Sequence, residues 1–303
     1  MTALRPLTEL YPLTADQLPE LNEALEAHGL GGAPGPDGQR MAVLARSLAD
    51  GDAVVARLDG RIVGYAANRQ DWGGGFALVE SAGEVLGPWR RRGVGTALLD
   101  WTVSRTARTA SSALVELVVD CPGTDTGLRA LLAARRFSEA PRVVVSAPVR
   151  PLPAASPGLT FRPLRPGDAA RMGEVHRRAT VGEVRARGGQ GALGTTLRDP
   201  CLRRDSCLLA TLTEDGPPVG FALTLTRPTA PHDLWIDTLC ADPAAPHPAV
   251  ARALAAEVIR RAPALCTTVS LCTTEAHLPA LAGLGFHPAR HWSRYSLLLV
   301  AAP

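Results

Sequence analysis

Three groups of residues in this chain could do chemistry together. The first is Arg90-Arg91-Arg92-Gly93-Val94-Gly95-Thr96, which carries an Arg-x-x-Gly-x-Gly spacing. Glycines so placed let backbone N–H groups approach a ligand with no Cβ in the way. If a helix starts there, its first N–H groups lack intrahelical partners and lie at the positive end of the helix dipole. Such a turn suits a phosphate, with mobile arginine charge around it. The second group is Glu80 and Glu84, four apart and therefore on one face of a strand. The third is Asp120, at the end of the apolar stretch that follows. Two phosphate motifs are excluded. A P-loop needs Gly-Lys-Ser/Thr, and the chain has no lysine; a dinucleotide fingerprint needs a third glycine where Leu98 stands.

The elements that must position these residues follow from periodicity. Phe76 to Leu86 reads as a strand leading into the glycine turn, and Val94, Leu98, Leu99, Trp101 and Val103 give a helix after it. Upstream, Leu10 to Leu13 is a short strand. Thr14-Ala15-Asp16-Gln17 is a capping box for a helix to about Ala27. Gly29 to Gly38 is a loop, and Gln39 to Ala49 a second helical stretch. Ala53 to Leu58 and Arg61 to Ala67 flank Asp59-Gly60, a hairpin signal. Downstream come a strand over Ala113 to Val119, a helix from about Asp125 to Arg135, and a strand from Arg142 to Val149.

Composition narrows the classes. At 303 residues, two domains are expected. A hydrophobic content of 46% supports real cores, and a net charge of +3 gives no global pull toward nucleic acid or membrane. The six cysteines lack C-x-x-C and histidine-paired spacing, so free thiols in a reducing cytosol are expected, with no metal site. The seven histidines show no ligand spacing, and the five tryptophans read as packing residues. The first residues lack the apolar core of a signal peptide, and no apolar run is long enough to span a membrane, so a cytoplasmic location is expected.

Residues 151–158 are a proline-rich linker, after which the pattern starts again. Leu159 to Asp168 echoes Leu10 to Asp16, Pro217 to Ala222 echoes the second hairpin arm, Ala249 to Leu254 lines up with Gly93 to Leu98, and Phe286 answers Phe137. The second loop, Asp242 to Ala251, has alanines where both glycines stood and proline where Arg90 stood. Proline offers no N–H, and alanine is strained at positive φ.

The strand, the Arg90-x-x-Gly93-x-Gly95 turn and the helix resemble the acyl-CoA pyrophosphate loop of the GNAT superfamily of N-acyltransferases. The resemblance implies an α/β (α+β) fold: two tandem GNAT domains, residues 1–150 and 159–303, each a mixed, largely antiparallel sheet flanked by helices, the second degenerate. It implies acetyl-CoA as co-substrate, with Arg90, Arg91, Arg92, Gly93, Val94, Gly95 and Thr96 on the phosphates and the strand edge at Val85 and Leu86 along the pantetheine. Glu80, or else Glu84 or Asp120, would remove the amine proton. Asp125 falls where a helix-start asparagine is frequent in the family; an N-cap role also accounts for it. The family's general-acid tyrosine is missing, since Leu132 and Leu281 occupy its two positions. The expected activity is acetyl transfer to the primary amine of a small molecule, in a chain that could form a homodimer. The alternatives are a protein or peptide acceptor, an enzyme like mycothiol synthase, and a non-catalytic acyl-CoA sensor. The acceptor is not legible.

Overall fold

A computed structural model describes residues 8–28, 43–44, 47–73, 76–109, 113–152, 158–165, 167–180, 193, 196–199, 201–227, 230–245 and 249–300. The Gly29 to Gly38 loop, most of the Gln39 to Ala49 segment, the middle of the linker and His247 lie outside these residues. The chain forms two compact units of mixed α/β structure.

The first unit comprises Met1–Asp71, Gly75–Ala140 and Ser293–Pro303. Strand β1 (Glu9–Pro12) ends at the capping box, where the Thr14 N–H donates to Gln17 Oε1 at 3.1 Å. A 3-10 turn over Ala15–Gln17 then leads into α1 (Leu18–Ala27), which buries Leu21 and Leu25. The hairpin forms as expected from β2 (Ala53–Leu58) and β3 (Arg61–Gly73). Leu58 opposes Arg61, and Asp59 and Gly60 take φ of 51° and 75°, the double positive turn that Asp-Gly tolerates. Strand β4 (Phe76–Val85), α2 (Val94–Thr109), β5 (Leu114–Pro122) and α3 (Thr126–Ala134) follow. The two sheet faces bury different sets. Tyr65, Ala67 and Ala82 pack with Leu21 and Leu25 of α1, whereas Ala66 packs with Val94 and Leu98 of α2, and Val115 and Leu117 with Leu99 and Leu132. The α1 face and the α2/α3 face are therefore chemically separate.

The second unit comprises Trp72–Gly74 and Pro141–Trp292. It contains most of β6 (Ser138–Pro148), then β7 (Thr160–Pro163), α4 (Asp168–Thr180), β8 (Leu208–Thr211), β9 (Pro218–Arg227), β10 (Ala230–Ala241), α5 (Val250–Arg260), β11 (Thr268–Thr273) and α6 (Leu278–Ala282). Its strand order is β6-β11-β10-β9-β8-β7, with β10 and β11 parallel. The same pairing type joins β4 to β5 in the first unit.

The internal repeat is visible bond by bond. Leu86 N–H donates to Val63 O at 3.0 Å, and Asp242 N–H donates to Val219 O at 2.8 Å. Ala97 N–H donates to Gly93 O at 3.0 Å, and Ala253 N–H to Ala249 O at 2.8 Å. A Cβ at Gly64 would lie 2.6 Å from Glu84 O, and one at Gly220 would lie 2.8 Å from Cys240 O. Both hairpins thus need a glycine where the next strand crosses close by.

The compact units depart from the contiguous division at their closing strands. Strand β12 (His287–Val300) is β5's neighbour, and its Ser293 onward belongs to the first unit; β6 from Pro141 belongs to the second, antiparallel to β11. Packing supplies the reason. Tyr295, Leu297 and Leu299 alternate into the cluster of Leu117 and Leu132, while Val143, Val145 and Ala147 enter the cluster of Leu234 and Leu254.

Candidate active site

The glycine turn has the backbone its sequence demands. Arg91 and Gly93 take φ of 63° and 92°. The first helical bond, from Ala97 N–H to Gly93 O, leaves the N–H groups of Val94, Gly95 and Thr96 ahead of the ladder. A Cβ at Gly95 would stand 3.6 Å from both Val85 and Leu131, two residues that line the adjacent cavity, so the missing side chain keeps that wall open. Arg90 and Arg91 line the cavity, while Arg92 stacks on the Trp89 ring at 4.9 Å. The side chains of Leu86 and Val94 are buried in the α1-side and α2-side cores, which leaves only their backbone for a ligand.

The cavity arises because two strands part. β4 and β5 pair from Ala77–Val115 to Ser81–Val119 and no further, although β4 runs on to Val85 and β5 to Pro122. The gap, of about 380 Å³, is bordered by Glu80, Glu84, Val85, Asp120 and Asp125 together with the glycine turn. These sequence-predicted residues therefore converge on one cavity.

Each carboxylate at that cavity has a partner. Ala82 packs on the α1 side, and Ser81 Oγ lies 3.5 Å from Thr102 Oγ1 of α2, so alternation places Glu80 and Glu84 on the α1 face. Glu80 is paired with Arg69 of β3. Glu84 Oε1 accepts from Arg90 Nη2 at 2.8 Å and from Val85 N–H at 3.2 Å, while Arg90 Nε donates to Val85 O at 3.1 Å. Asp120 receives both Arg294 Nε, at 2.9 Å, and Arg294 Nη2, at 2.8 Å. Asp125 caps α3 by accepting from Leu128 N–H at 2.9 Å, and sits 4.0 Å from Arg90. Leu132, in the place of the family's tyrosine, is fully buried. Among the described residues no group of three or more potential metal ligands occurs.

The sequence does not reveal Tyr65, Arg69 or Arg294 as site residues. Tyr65 lines the cavity from the hairpin arm. Arg69 could have been found from pleat parity with Tyr65, but Arg294 is 174 residues from Asp120 and carries no local signal.

Among its described residues, the second copy's loop does not repeat the positive φ of the glycine turn. Ala249, in the place of Gly93, has φ of −103°. Asp242 accepts Ala244 N–H at 3.0 Å and is paired with Arg178 at 2.8 Å, so a carboxylate already uses a loop donor and opposes a phosphate. Titration calorimetry is expected to return one CoA per chain; a stoichiometry of two would show that Asp242 to Ala251 binds after all.

A phosphate-type helix N-terminus beside a parted parallel strand pair is the arrangement of an acyltransferase-class α/β fold; the second unit repeats the parallel pair without the glycine turn. The chain belongs to the Acetyltransferase (GNAT) family, whose model matches residues 21–126 and again 182–286. Among solved structures it is similar to a GCN5-related N-acetyltransferase from Sphaerobacter thermophilus, at 19% identity over 98% of this chain and 97% of that one, with a TM-score of 0.67. It is also similar to a tandem GNAT protein from the clavulanic acid biosynthesis pathway, at 17% identity over 98% and 99%, with a TM-score of 0.66. A glucosamine N-acetyltransferase region of a fungal multi-domain β-N-acetylglucosaminidase aligns at 11% identity over 97% of this chain and 38% of that one, with a TM-score of 0.75. At these identities the likeness is one of fold. No curated protein matches the chain. Among the described residues no helix is long and apolar enough to cross a membrane.

Proposed function

We propose that the first unit transfers an acetyl group from acetyl-CoA to the primary amine of a small molecule. The observation that carries this reading is the single cavity in which the glycine turn, the parted β4–β5 edge and the Glu80 carboxylate meet. The N–H groups of Val94, Gly95 and Thr96, with Arg90 and Arg91, would hold the pyrophosphate. The β4 edge at Val85 would align the pantetheine, placing the thioester at the parting.

Glu80 is the best-placed base. Arg69 holds Glu80 through Oε2, whereas Glu84 Oε1 takes two donors, from Arg90 and the Val85 N–H, and Asp120 is held by Arg294 through both oxygens. Glu80 would take a proton from the incoming ammonium so that its nitrogen lone pair forms the N–C bond while the C–S bond breaks. The amine's second proton leaves to solvent, and the departing sulfur gains one. A thiol pKa near 8.5 makes the thiolate an acceptable leaving group, which accommodates Leu132 in place of a tyrosine.

A CoA-release assay over a panel of amines tests the reading. Turnover that depends on Arg90 and Glu80 supports it; CoA binding with no turnover for any amine points instead to the sensor. Arg90→Ala is expected to weaken CoA by roughly tenfold or more, the loss of one charge-assisted contact. Calorimetry on the variant reads this, and unchanged affinity would remove Arg90 from the phosphate site.

A further inference from the structure

Where β4 runs on past its last pairing with β5 at Ser81, its edge groups need other partners. Leu86 N–H donates to Val63 O of β3 at 3.0 Å, so strand alternation turns the N–H and C=O of Val85 the other way, into the parting. Both groups are taken by side chains. Glu84 Oε1 accepts from Val85 N–H at 3.2 Å, and Arg90 Nε donates to Val85 O at 3.1 Å. Arg90 Nη2 completes the ring by donating to Glu84 Oε1 at 2.8 Å.

The same guanidinium lies 4.0 Å from Asp125, the N-cap of α3 beyond the end of β5. Glu84, Val85, Arg90 and Asp125 all line the cavity, so Arg90 reaches from its β4 side toward its α3 side. The Arg90 backbone is pinned by its N–H, which donates to Gly87 O at 3.2 Å, whereas the side chain is 46% exposed and can swing. Glu84 is the fixed half of the pair, with a side chain only 9% exposed.

Resting on the acetyl-CoA reading, in which Val85 aligns the pantetheine and Arg90 meets the pyrophosphate, we propose that Glu84 is a positioning residue for the donor. It holds Arg90 as a strap over the Val85 edge, and the donor enters by exchange. One swing of Arg90 then does two things. It yields Val85 O to an amide N–H of the pantetheine, and it carries the guanidinium from a carboxylate to a phosphate. The affinity of the cavity for CoA is therefore set against the Glu84–Arg90 pair.

Calorimetry with CoA on four proteins tests this: the full chain, Glu84→Gln, Arg90→Ala, and the two substitutions combined. Glu84→Gln should tighten CoA by roughly threefold to tenfold, because a guanidinium leaves a neutral amide more readily than a carboxylate. In the Arg90→Ala background the same substitution should leave affinity within about 1.5-fold, since the strap is already gone. A merely structural role for Glu84 predicts weaker binding, so unchanged or weaker CoA in Glu84→Gln overturns the proposal. Tightening by the same factor in both backgrounds overturns it too, because Glu84 would then only repel the phosphates. CoA release over the amine panel separates this from the transferase reading. Tightening that needs Arg90, with no turnover of any amine, supports the strap and refutes the acetyltransferase; turnover without tightening does the reverse. CoA binding to none of the four proteins overturns both.

Discussion

Glu80→Gln is expected to lower kcat by about 10²- to 10³-fold, the range for loss of a positioned general base. CoA affinity should stay within about twofold of the parent value, because the phosphate turn and the Glu84–Arg90 pair are separate from Glu80. The glutamine keeps the shape and can still bond to Arg69, so the fold tolerates it. Steady-state kinetics and calorimetry together decide the matter. A fall in kcat of less than about fivefold would move the base to Glu84 or Asp120.

The second large effect lies in the second unit. Asp168, at the start of α4, is 6% exposed and receives Arg162 Nη1 and Nη2 at 2.7 and 2.8 Å, with the Arg165 N–H at 2.7 Å. Its carboxyl is held below the usual carboxylate range, first by the Arg162 hydrogen bonds and further by the Arg165 N–H, with burial opposing. A lowered pKa in the folded state means stabilisation that is complete above the unfolded value near 3.9 and is lost as pH falls through the folded value. Asp168→Asn should therefore cost about 2 to 4 kcal/mol at neutral pH by stranding a largely buried guanidinium. The gap from the parent should narrow below about pH 4. Denaturant melts at pH 7 and pH 3.5 measure both; an equal gap at the two values would mean the ionised pair is not the source of the stability.

Local chemistry made much of this protein legible. Asp59-Gly60 announced its hairpin because few other dipeptides accept two positive φ values, and Thr14 with Gln17 announced α1 through reciprocal capping. The glycine turn was legible for the same reason, since Gly93 sits at φ 92° and its counterpart Ala249 does not take that conformation. Glu80 and Glu84 share a face, as their spacing requires. The partners of the carboxylates were not legible. Arg69 comes from the neighbouring strand, Arg90 turns back from the loop onto Glu84, and Arg294 arrives from the far end of the chain.

The sequence by itself determined what depends on a few adjacent residues: two copies of one pattern, the turns and caps, and which copy kept a phosphate-type loop. Only the tertiary structure decided what depends on pairing between distant segments. Arg142 to Val149 reads as a strand, and alternation states which of its side chains face a core without stating whose. Hydrogen bonding between strands is the same for any partner, so the choice is made by packing. Tyr295, Leu297 and Leu299 fill the first unit's cluster, and with them come Arg294 onto Asp120 and Ser293 onto Glu139.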